Sequence, residues 1–394
     1  MTFVSTMEKK KTAANARPLE RLGNYLDDRL NVRYHARFEA PELMGRPQKL
    51  VWYRIPLKDG MSGDGSEYHM YLKRGTNRNL CIFFSGGGVA WNEYTAARPV
   101  TGGKVAARLP NFYWNNLRPF TEIYNIHNGI MQIGNSYNPF NDWNTVVIPY
   151  ATGDMHIGNN DFPYEAEDGS EQVLHFHGYR NFQAAMQVAV SMFRHPKRLL
   201  IAGDSAGAFA VPALTTPVLT QYYPDCRNVT VFSDSAQLLY RKWRTTARDV
   251  WKADQVFWGP IKSSNMALDW YRTLYDTWGD SLHYLYAGSP RDYLLSAYYN
   301  DVVNGKYKTN LAVQEQYQKQ MKKMLAELKQ ITPKFGFFLY PFKTRTHIGG
   351  TVHTAVRHHW FYHPTPSGIS MAEWLGDAEK GMICDLNMEL MERA

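Results

Sequence analysis

Residues 198–214 read Arg198-Leu-Leu-Ile-Ala-Gly-Asp-Ser-Ala-Gly-Ala-Phe-Ala-Val-Pro-Ala-Leu214. The apolar run 198–202 is typical of a buried strand, and the segment from Ala208 onward is typical of a helix. A serine on the tight turn between them is pushed clear of the sheet, and its flanking glycines leave room for the strained backbone. The start of the helix adds N–H donors where negative charge develops during acyl transfer. The stretch therefore predicts that Ser205 is a nucleophile.

Strand-like apolar runs alternate with helical stretches along the rest of the chain. This alternation is typical of an α/β fold with a mostly parallel central sheet and helices on both faces. The predicted helices cover 178–194 and 311–331, and a last helix begins at the capping box Ser370-Met-Ala-Glu373. The predicted strands are 80–84, 145–149, 198–202, 228–232, 293–297 and 335–340.

The domain organisation follows from composition. Residues 1–17 are polar and basic, which predicts a disordered tail, and residues 18–394 form a single domain because no Gly-, Ser- or Pro-rich linker divides them. Two long stretches rich in Asn, Tyr, Trp and Pro, at 89–142 and 236–290, are expected to be cap-like insertions that shape a pocket.

Charge and cysteine content exclude several classes of protein. The net charge is +8, but the basic residues are dispersed and no nucleic-acid motif accompanies them, so we expect no nucleic-acid partner. Three cysteines argue against a disulfide framework and for a reducing compartment. No signal peptide and no apolar stretch of membrane-spanning length is evident, so we expect a cytoplasmic protein without membrane insertion.

A glycine-rich turn follows the predicted strand 80–84, in the order Ser85-Gly-Gly-Gly-Val-Ala-Trp91. Such a turn lets backbone N–H groups approach a substrate oxygen. A phosphate-binding loop is the alternative, but the spacing of its glycines and its Gly-Lys-Ser/Thr ending are missing. We therefore predict an oxyanion hole formed by Gly87, Gly88 and Ala206.

A serine nucleophile needs a base, and histidines cluster late in the chain. His353 follows the last predicted strand, at the position expected for the base. His358, His359 and His363 come after it and raise the alternative of a zinc site. Because no carboxylate or cysteine spacing accompanies them, we expect no metal and no cofactor.

The acid that orients the histidine has two candidates. Asp301 follows the predicted strand 293–297 and gives the chain order Ser, Asp, His. Asp234 ends the predicted strand 228–232 and stays open as the alternative. Asp204 precedes the nucleophile and is expected to point away or to tune the turn.

Four segments of the chain resemble the pectin acetylesterase and Notum family of α/β-hydrolase carboxylesterases. The first two segments are Phe84-Ser-Gly-Gly-Gly-Val-Ala-Trp91 and Tyr150-Ala-Thr-Gly-Asp-Met-His-Ile-Gly158. The third is the serine turn 203–208, and the fourth is a tail with His353-Thr354, Phe361-Tyr362 and Ser370 to Trp374. The resemblance covers roughly residues 50–380.

The resemblance implies an α/β-hydrolase fold with Ser205 as nucleophile, His353 as base and Asp301 as acid. It also implies that Asp234 is not the acid. The matching segments add Trp91, Asp154 and His156 as candidate substrate-binding residues. Two features depart from the pattern: Ala208 replaces the last glycine of the serine turn, and Ala90 stands where a cysteine is common. The missing cysteines favour an intracellular protein.

The sequence thus predicts a serine carboxylesterase or deacetylase that acts on a small-molecule or saccharide ester. The acyl group is expected to be short, and the resemblance points to acetyl esters of carbohydrates. Thioester or amide cleavage, acyl transfer to another acceptor, and a non-catalytic binding protein on the same scaffold stay open. The sequence does not indicate an oligomeric state.

Overall fold

The computed structural model describes residues 39–107, 109–118, 121–344 and 349–392. Its strands are β1 (Trp52–Met61), β2 (Glu67–Lys73), β3 (Leu80–Phe84), β4 (Asn144–Ile148), β5 (Asn160–Glu165), β6 (Glu171–Phe176), β7 (Leu199–Asp204), β8 (Val229–Asp234), β9 (Leu282–Gly288) and β10 (Gly336–Leu339). The main sheet has the order β1-β2-β4-β3-β7-β8-β9-β10, and β5 and β6 form a separate hairpin.

The main sheet is parallel from β4 to β10, and β1 and β2 add an antiparallel edge. The strand that leads to Ser205, β7, lies between β3 and β8, near the middle of the sheet. Its carboxyl end meets the carboxyl ends of both neighbours, which is where ligands bind in sheets of this type.

The helices of the described ranges flank the sheet. They are α1 (Glu93–Ala96), α2 (Gly102–Ala106), α3 (Gly178–Met192), α4 (Ala206–Pro217), α5 (Trp243–Thr245), α6 (Gln255–Trp258), α7 (Met266–Trp278), α8 (Tyr293–Asn304), α9 (Leu311–Ile331) and α10 (Met371–Ala378). Short 3₁₀ and π-helical segments add to them between residues 123 and 391. The capping box at Ser370 is present, with its side chain accepting from the N–H of Glu373.

Both faces of the sheet are buried, because successive side chains of a strand point to opposite faces. In β3, Ile82 and Phe84 belong to the core that packs under α3, α4, α7 and α9. Cys81 and Phe83 belong to a second core on the other face, which α10 covers. The uninterrupted apolar sequence of β3 follows from this double burial, and the predicted α/β fold is confirmed.

The sequence prediction was wrong in one element that bears on the site. Residues 293–297 are not a strand but the start of α8. A short apolar run does not distinguish a strand from a buried helix. The side chain of Asp292 decides for the helix, because it accepts hydrogen bonds from the N–H groups of Leu294 and Leu295 and so caps the first turn.

The sequence prediction omitted β1 and β2 at the antiparallel edge and the hairpin strands β5 and β6. It also missed the parallel strand β9, whose residues lie inside the predicted insertion 236–290. That insertion therefore ends before residue 282. The described residues of the other insertion, 89–142, add no strand to the main sheet. The predicted tail, residues 1–17, lies outside the described residues, and the single domain stays a prediction. No helix in the described part of the chain has the length and apolar character needed to cross a membrane.

We predict that a side chain at Gly207 destabilises the fold, because the serine turn contacts β3 at this residue. A Cβ atom on Gly207 would lie 2.0 Å from the carbonyl oxygen of Phe84. This oxygen belongs to the backbone, so it cannot move away as the end of a flexible side chain could. Gly207→Ala is expected to reduce the free energy of unfolding by roughly 3 kcal/mol or more, as overpacking of a rigid contact does. Urea denaturation measures this change.

The neighbouring Ala208→Gly is the control, because it removes a buried methyl group from the same helix without adding a clash. It is expected to reduce stability by roughly 1 to 2 kcal/mol from helix propensity and lost burial. Equal stabilities of the two variants would contradict the steric argument.

Candidate active site

Ser205 lies on the turn between β7 and α4, with its backbone at φ 51° and ψ −125°. This positive φ is strained for a serine. A tight contact at Gly203 and a hydrogen bond to β8 hold the turn in this conformation. A Cβ on Gly203 would meet the carbonyl oxygen of Gly207 at 2.4 Å, so only glycine fits there. The N–H of Ser205 donates to the carbonyl of Asp234 in β8 at 2.9 Å. The side chain of Ser205 is thereby directed away from the sheet, into a cavity.

The His353 ring contacts the serine, with 2.8 Å between Nε2 and the Ser205 Oγ. His353 belongs to the loop that follows β10, and Asp234 holds this loop. One carboxylate oxygen of Asp234 accepts the N–H groups of Ala355 (2.7 Å) and Val356 (2.9 Å). Asp234 therefore positions the histidine through the backbone and does not contact its ring in this structure.

The acid beside His353 is Asp292, and 2.6 Å separates its Oδ2 from the His353 Nδ1. The loop after β9 carries Asp292 and is joined to the histidine loop by backbone hydrogen bonds. The N–H of Thr351 donates to Arg291, and the N–H of Tyr293 donates to Thr351. Since an ionised carboxylate only accepts, the ring proton lies on Nδ1, which leaves Nε2 to accept from Ser205.

Asp301 does not reach the histidine, so the prediction that it orients His353 is wrong in this structure. It lies in the third turn of α8, nine residues after Asp292. The error has a physical origin: the apolar run 293–297 fits a strand, and an acid at the carboxyl end of such a strand would be Asp301. Two features could have identified Asp292, namely the apolar run 282–288 and an Asp immediately before a helical apolar segment.

The carboxylates around His353 raise the affinity of its ring for a proton. Burial lowers the pKa of the ring, but the charge and hydrogen bond of Asp292 and the further charges of Asp204 and Asp234 outweigh it. The net effect raises the pKa of His353 above its usual 6.5. A raised pKa makes the ring a stronger proton acceptor for the Ser205 hydroxyl.

The glycine-rich turn after β3 lies directly against the serine turn. A Cβ on Gly86 would lie 2.5 Å from the Ser205 Cβ, and one on Gly88, at φ +84°, would lie 1.9 Å from a backbone oxygen. In the described structure no protein group accepts from the N–H of Gly87, Gly88 or Ala206. These three N–H groups are the ones the sequence predicted for an oxyanion hole.

A buried ion pair that the sequence analysis did not find supports this turn. Arg357 Nη2 lies 2.8 Å from Asp204 Oδ2, and the other Asp204 oxygen accepts the N–H of Gly86 at 2.9 Å. Arg357 also donates to Asn125, whose side-chain oxygen accepts the Ser85 hydroxyl. No local motif marks Arg357 or Asn125, because their partners are distant in sequence. Asp204 thus links the serine turn to the glycine-rich turn at the wall of the cavity. This geometry agrees with the expectation that it tunes the turn and not with the alternative that it points away.

The three candidate substrate-binding residues do not line the cavity that contains Ser205. Asp154 is fully buried and accepts from Thr152, from the N–H of His156 and from the N–H of Gly178. His156 Nε2 lies 2.9 Å from the carbonyl oxygen of Ser85, which buttresses the glycine-rich turn from behind.

Asp154 and His156 support the turn instead of lining the cavity because both are buried. Burial raises the pKa of Asp154 to about 6 and lowers the pKa of His156 to about 4, so the His156 ring is neutral. Trp91, the third candidate, is 4% exposed and packs against Phe112, Tyr240 and Tyr298. A substrate in the cavity would not reach these side chains without rearrangement.

The cavity above Ser205 has a volume of about 890 Å³. Its lining includes several aromatic side chains, the amides of Asn111 and Asn125, and one buried cation, Arg357. The aromatic lining residues are Trp114, Tyr124, Tyr150, Tyr293, Tyr298, Tyr307 and Trp360. Planar rings with polar edges suit a ligand that offers both C–H faces and hydroxyl groups.

The histidines after His353 pack their rings against one another. The rings of His358 and His359 lie 4.2 Å apart, and those of His359 and His363 lie 5.3 Å apart. Within the described ranges, these three do not bring their ring nitrogens together as metal ligands would. Burial lowers the pKa of His358 to about 4, with a smaller contribution from its two histidine neighbours.

Comparison with known proteins identifies the family and the fold. Residues 56–257, just over half of the chain, match the family model described as Pectinacetylesterase. Among solved structures, the Wnt deacylase Notum from Drosophila is similar, with a TM-score of 0.54 and 15% sequence identity over 85% of this chain and 95% of the Notum chain. This likeness shows the α/β-hydrolase fold. No curated protein sequence matches the chain significantly. The chain belongs to the pectinacetylesterase family of carboxylic ester hydrolases.

Proposed function

We propose that the protein removes a short acyl group, acetyl in particular, from a polar alcohol such as a carbohydrate, with Ser205, His353 and Asp292 as its catalytic residues. One observation carries the proposal. The hydroxyl of Ser205, the two nitrogens of His353 and a carboxylate oxygen of Asp292 are joined by contacts of 2.8 Å and 2.6 Å at the wall of a large cavity.

Acylation begins when the Ser205 oxygen attacks the ester carbonyl carbon. The hydroxyl proton passes to Nε2 of His353, while Nδ1–H stays hydrogen-bonded to Asp292, which stabilises the imidazolium. When the tetrahedral intermediate collapses, the bond to the alcohol oxygen breaks and that oxygen takes the proton from Nε2. The products of this half-reaction are the free alcohol and an acyl-enzyme at Ser205.

Deacylation repeats the sequence with water. His353 Nε2 removes a proton from the water as its oxygen attacks the acyl carbon, and the proton returns to the Ser205 oxygen as the carboxylic acid leaves. In both halves the negative charge on the former carbonyl oxygen lies near the N–H groups of Gly87, Gly88 and Ala206. Such preorganised donors stabilise the transition state more than the ground state.

The cavity supports a polar alcohol component. Sugar rings stack their C–H faces on aromatic rings and exchange hydrogen bonds with phenol and amide groups, and this cavity offers both kinds of surface. A volume of about 890 Å³ exceeds what an acetyl group requires, so most of the space is left for the alcohol.

The location in the cytoplasm also stays a prediction, which fractionation of the source cells would test.

The catalytic residues are tested by three substitutions. Ser205→Ala is expected to lower kcat for p-nitrophenyl acetate by roughly 10⁴- to 10⁶-fold, since the nucleophile is lost. Asp292→Asn is expected to lower kcat by roughly 10⁴-fold, because the amide favours the wrong histidine tautomer. Asp301→Asn is the matched control on the same helix region and is expected to stay within a few-fold of the wild type.

Labelling with a fluorophosphonate probe provides the second measurement. The wild type should react at Ser205, whereas a non-catalytic binding protein would not react. An active Asp292→Asn enzyme with an inactive Asp301→Asn enzyme would reverse the assignment of the acid. Parallel ester, thioester and amide substrates then separate an esterase from a thioesterase or an amidase.

The pH profile tests the charge balance at His353. The base must be neutral to accept the serine proton, so kcat/KM falls as the pH drops through its pKa in the free enzyme. Because the carboxylates raise that pKa, the acid limb should have its midpoint above 6.5. In Asp292→Asn the main raising charge is gone, so the midpoint of the residual activity should shift to lower pH. A wild-type midpoint below 6.5 would mean that burial dominates.

The acyl group is tested with p-nitrophenyl esters from acetate to palmitate. We expect kcat/KM to be highest for acetate or butyrate, because the proposal assigns most of the cavity to the alcohol. A maximum at octanoate or a longer chain would reject the acetyl proposal and assign the aromatic cavity to a fatty acyl chain. The serine-hydrolase assignment would survive that result.

A further inference from the structure

Three potential metal ligands converge on the β5–β6 hairpin, away from the catalytic serine. Asp161 Oδ1 lies 2.6 Å from His175 Nδ1 and 2.8 Å from His177 Nε2. The ligand atoms of the three side chains all lie within 4.8 Å of one another. Among the described residues, Asp161, His175 and His177 are the potential metal ligands that lie this close together in a group of three.

Strand geometry brings the three residues together. Asp161 in β5 is paired directly with His175 in β6. His177 follows two residues later, just past the end of β6, and its Nε2 contacts the same carboxylate oxygen of Asp161. The rings of the two histidines lie 5.4 Å apart in an edge-to-face arrangement. The site therefore depends on the hairpin register and not on a flexible loop.

Burial and protonation of the three side chains bear on metal binding. The side chain of His177 is only 6% exposed, that of His175 is 24% exposed and that of Asp161 is 59% exposed, so the group opens to solvent on one side. Imidazole binds metal in its neutral form and carboxylate in its ionised form, so protons compete with metal at such a site. The nearby positive charge, which would repel a metal cation, is Arg180, whose side chain donates to Asn159.

We propose that Asp161, His175 and His177 bind a divalent transition metal ion of the zinc class, with water completing its coordination. Two imidazole nitrogens and one carboxylate oxygen are a donor set that zinc and its neighbours in the first transition row accept. Ligand atoms around a tetrahedral zinc ion, at bond lengths of about 2.0 Å, lie roughly 3.3 Å apart. Asp161 is 59% exposed, so its side chain can move outward by the few tenths of an ångström required.

Bound metal would join the base of the hairpin to the start of α3. His177 immediately precedes α3, and the N–H of Gly178 donates to Asp154, which belongs to the network behind the glycine-rich turn. At the other end of the hairpin, Glu167 forms ion pairs with Arg98 and Lys104 next to the cavity-lining residues of α2. The role that follows is structural: the metal stiffens a hairpin that supports both sides of the cavity. The proposal does not depend on the esterase chemistry.

The test is a cobalt titration of the full-length protein, prepared without a histidine tag and freed of metal with a chelator. Co²⁺ replaces zinc at such sites, and its visible absorption reports nitrogen and oxygen ligands. We expect saturable binding of one equivalent, without the near-ultraviolet band that a thiolate ligand gives. Zinc should displace the cobalt and raise the melting temperature, since a ligand that binds only the folded state stabilises it.

Asp161→Asn is the main variant, because the residue is largely exposed and the amide can still accept a ring N–H. It should weaken zinc binding by at least roughly 10- to 100-fold, the loss that even an outer-shell change produces. His175→Asn should do the same. The matched control is the double variant His359→Asn, His363→Asn, which removes two exposed histidines of the other cluster and should bind cobalt like the wild type.

Each result decides the proposal. Loss of binding in Asp161→Asn and His175→Asn, with binding kept in the control, supports the site, and the circular dichroism of Asp161→Asn checks that the variant is folded. Loss of binding only in the control would assign the metal to the His359 cluster and overturn the proposal. A wild type that shows no saturable binding at millimolar cobalt would overturn it as well.

Discussion

Two buried carboxylates hold the loop that carries His353, one through its backbone and one through its ring, and the site depends on this arrangement. Asp234 accepts two N–H groups just after the histidine, whereas Asp292 accepts the ring proton itself. A hydrogen bond to a charged group contributes about 1.5–3 kcal/mol, and an unsatisfied buried charge is far more costly. The loop therefore has one arrangement in which both carboxylates are satisfied, and in that arrangement Nε2 meets Ser205.

Each of the acids near the site uses its two oxygens for different tasks. Asp292 caps α8 with Oδ1 and orients His353 with Oδ2, so the helix start and the catalytic geometry are coupled. Asp204 holds the Gly86 N–H with one oxygen and Arg357 with the other, which joins the serine turn to the glycine-rich turn. Because removing one partner of a buried ion pair leaves an uncompensated charge, such links are strongly destabilising to break. The geometry of the site thus rests on links between segments far apart in the chain.

The sequence predicted Ser205, His353 and the glycine-rich turn, which the structure brings together, but not the aspartate that contacts His353, and the difference is physical. Ser205 and Gly87 lie in turns where glycines allow close approaches of the backbone, and these glycines stand together in the sequence as a recognisable pattern. Asp292 is identified only when β9 and α8 are assigned correctly, and the apolar run 293–297 fits a strand as well as a helix. Asp154 and His156 belong to a recognisable segment, yet their burial gives them a supporting task behind the turn rather than one in the cavity.

Local patterns by themselves determined the α/β class, most strands of the parallel sheet, the strained serine turn and the late histidine. They did so because a strand that is buried on both faces is apolar along its length, and a strained turn has glycines beside it, so each leaves a pattern in a few consecutive residues. Tertiary structure alone decided which aspartate contacts His353, that Arg357 pairs with Asp204, and that Asp161 lies beside His175 of the next strand and His177 just after it. These contacts join residues that are 14 to 153 positions apart, and the pairing depends on strand order and register, which no local segment contains.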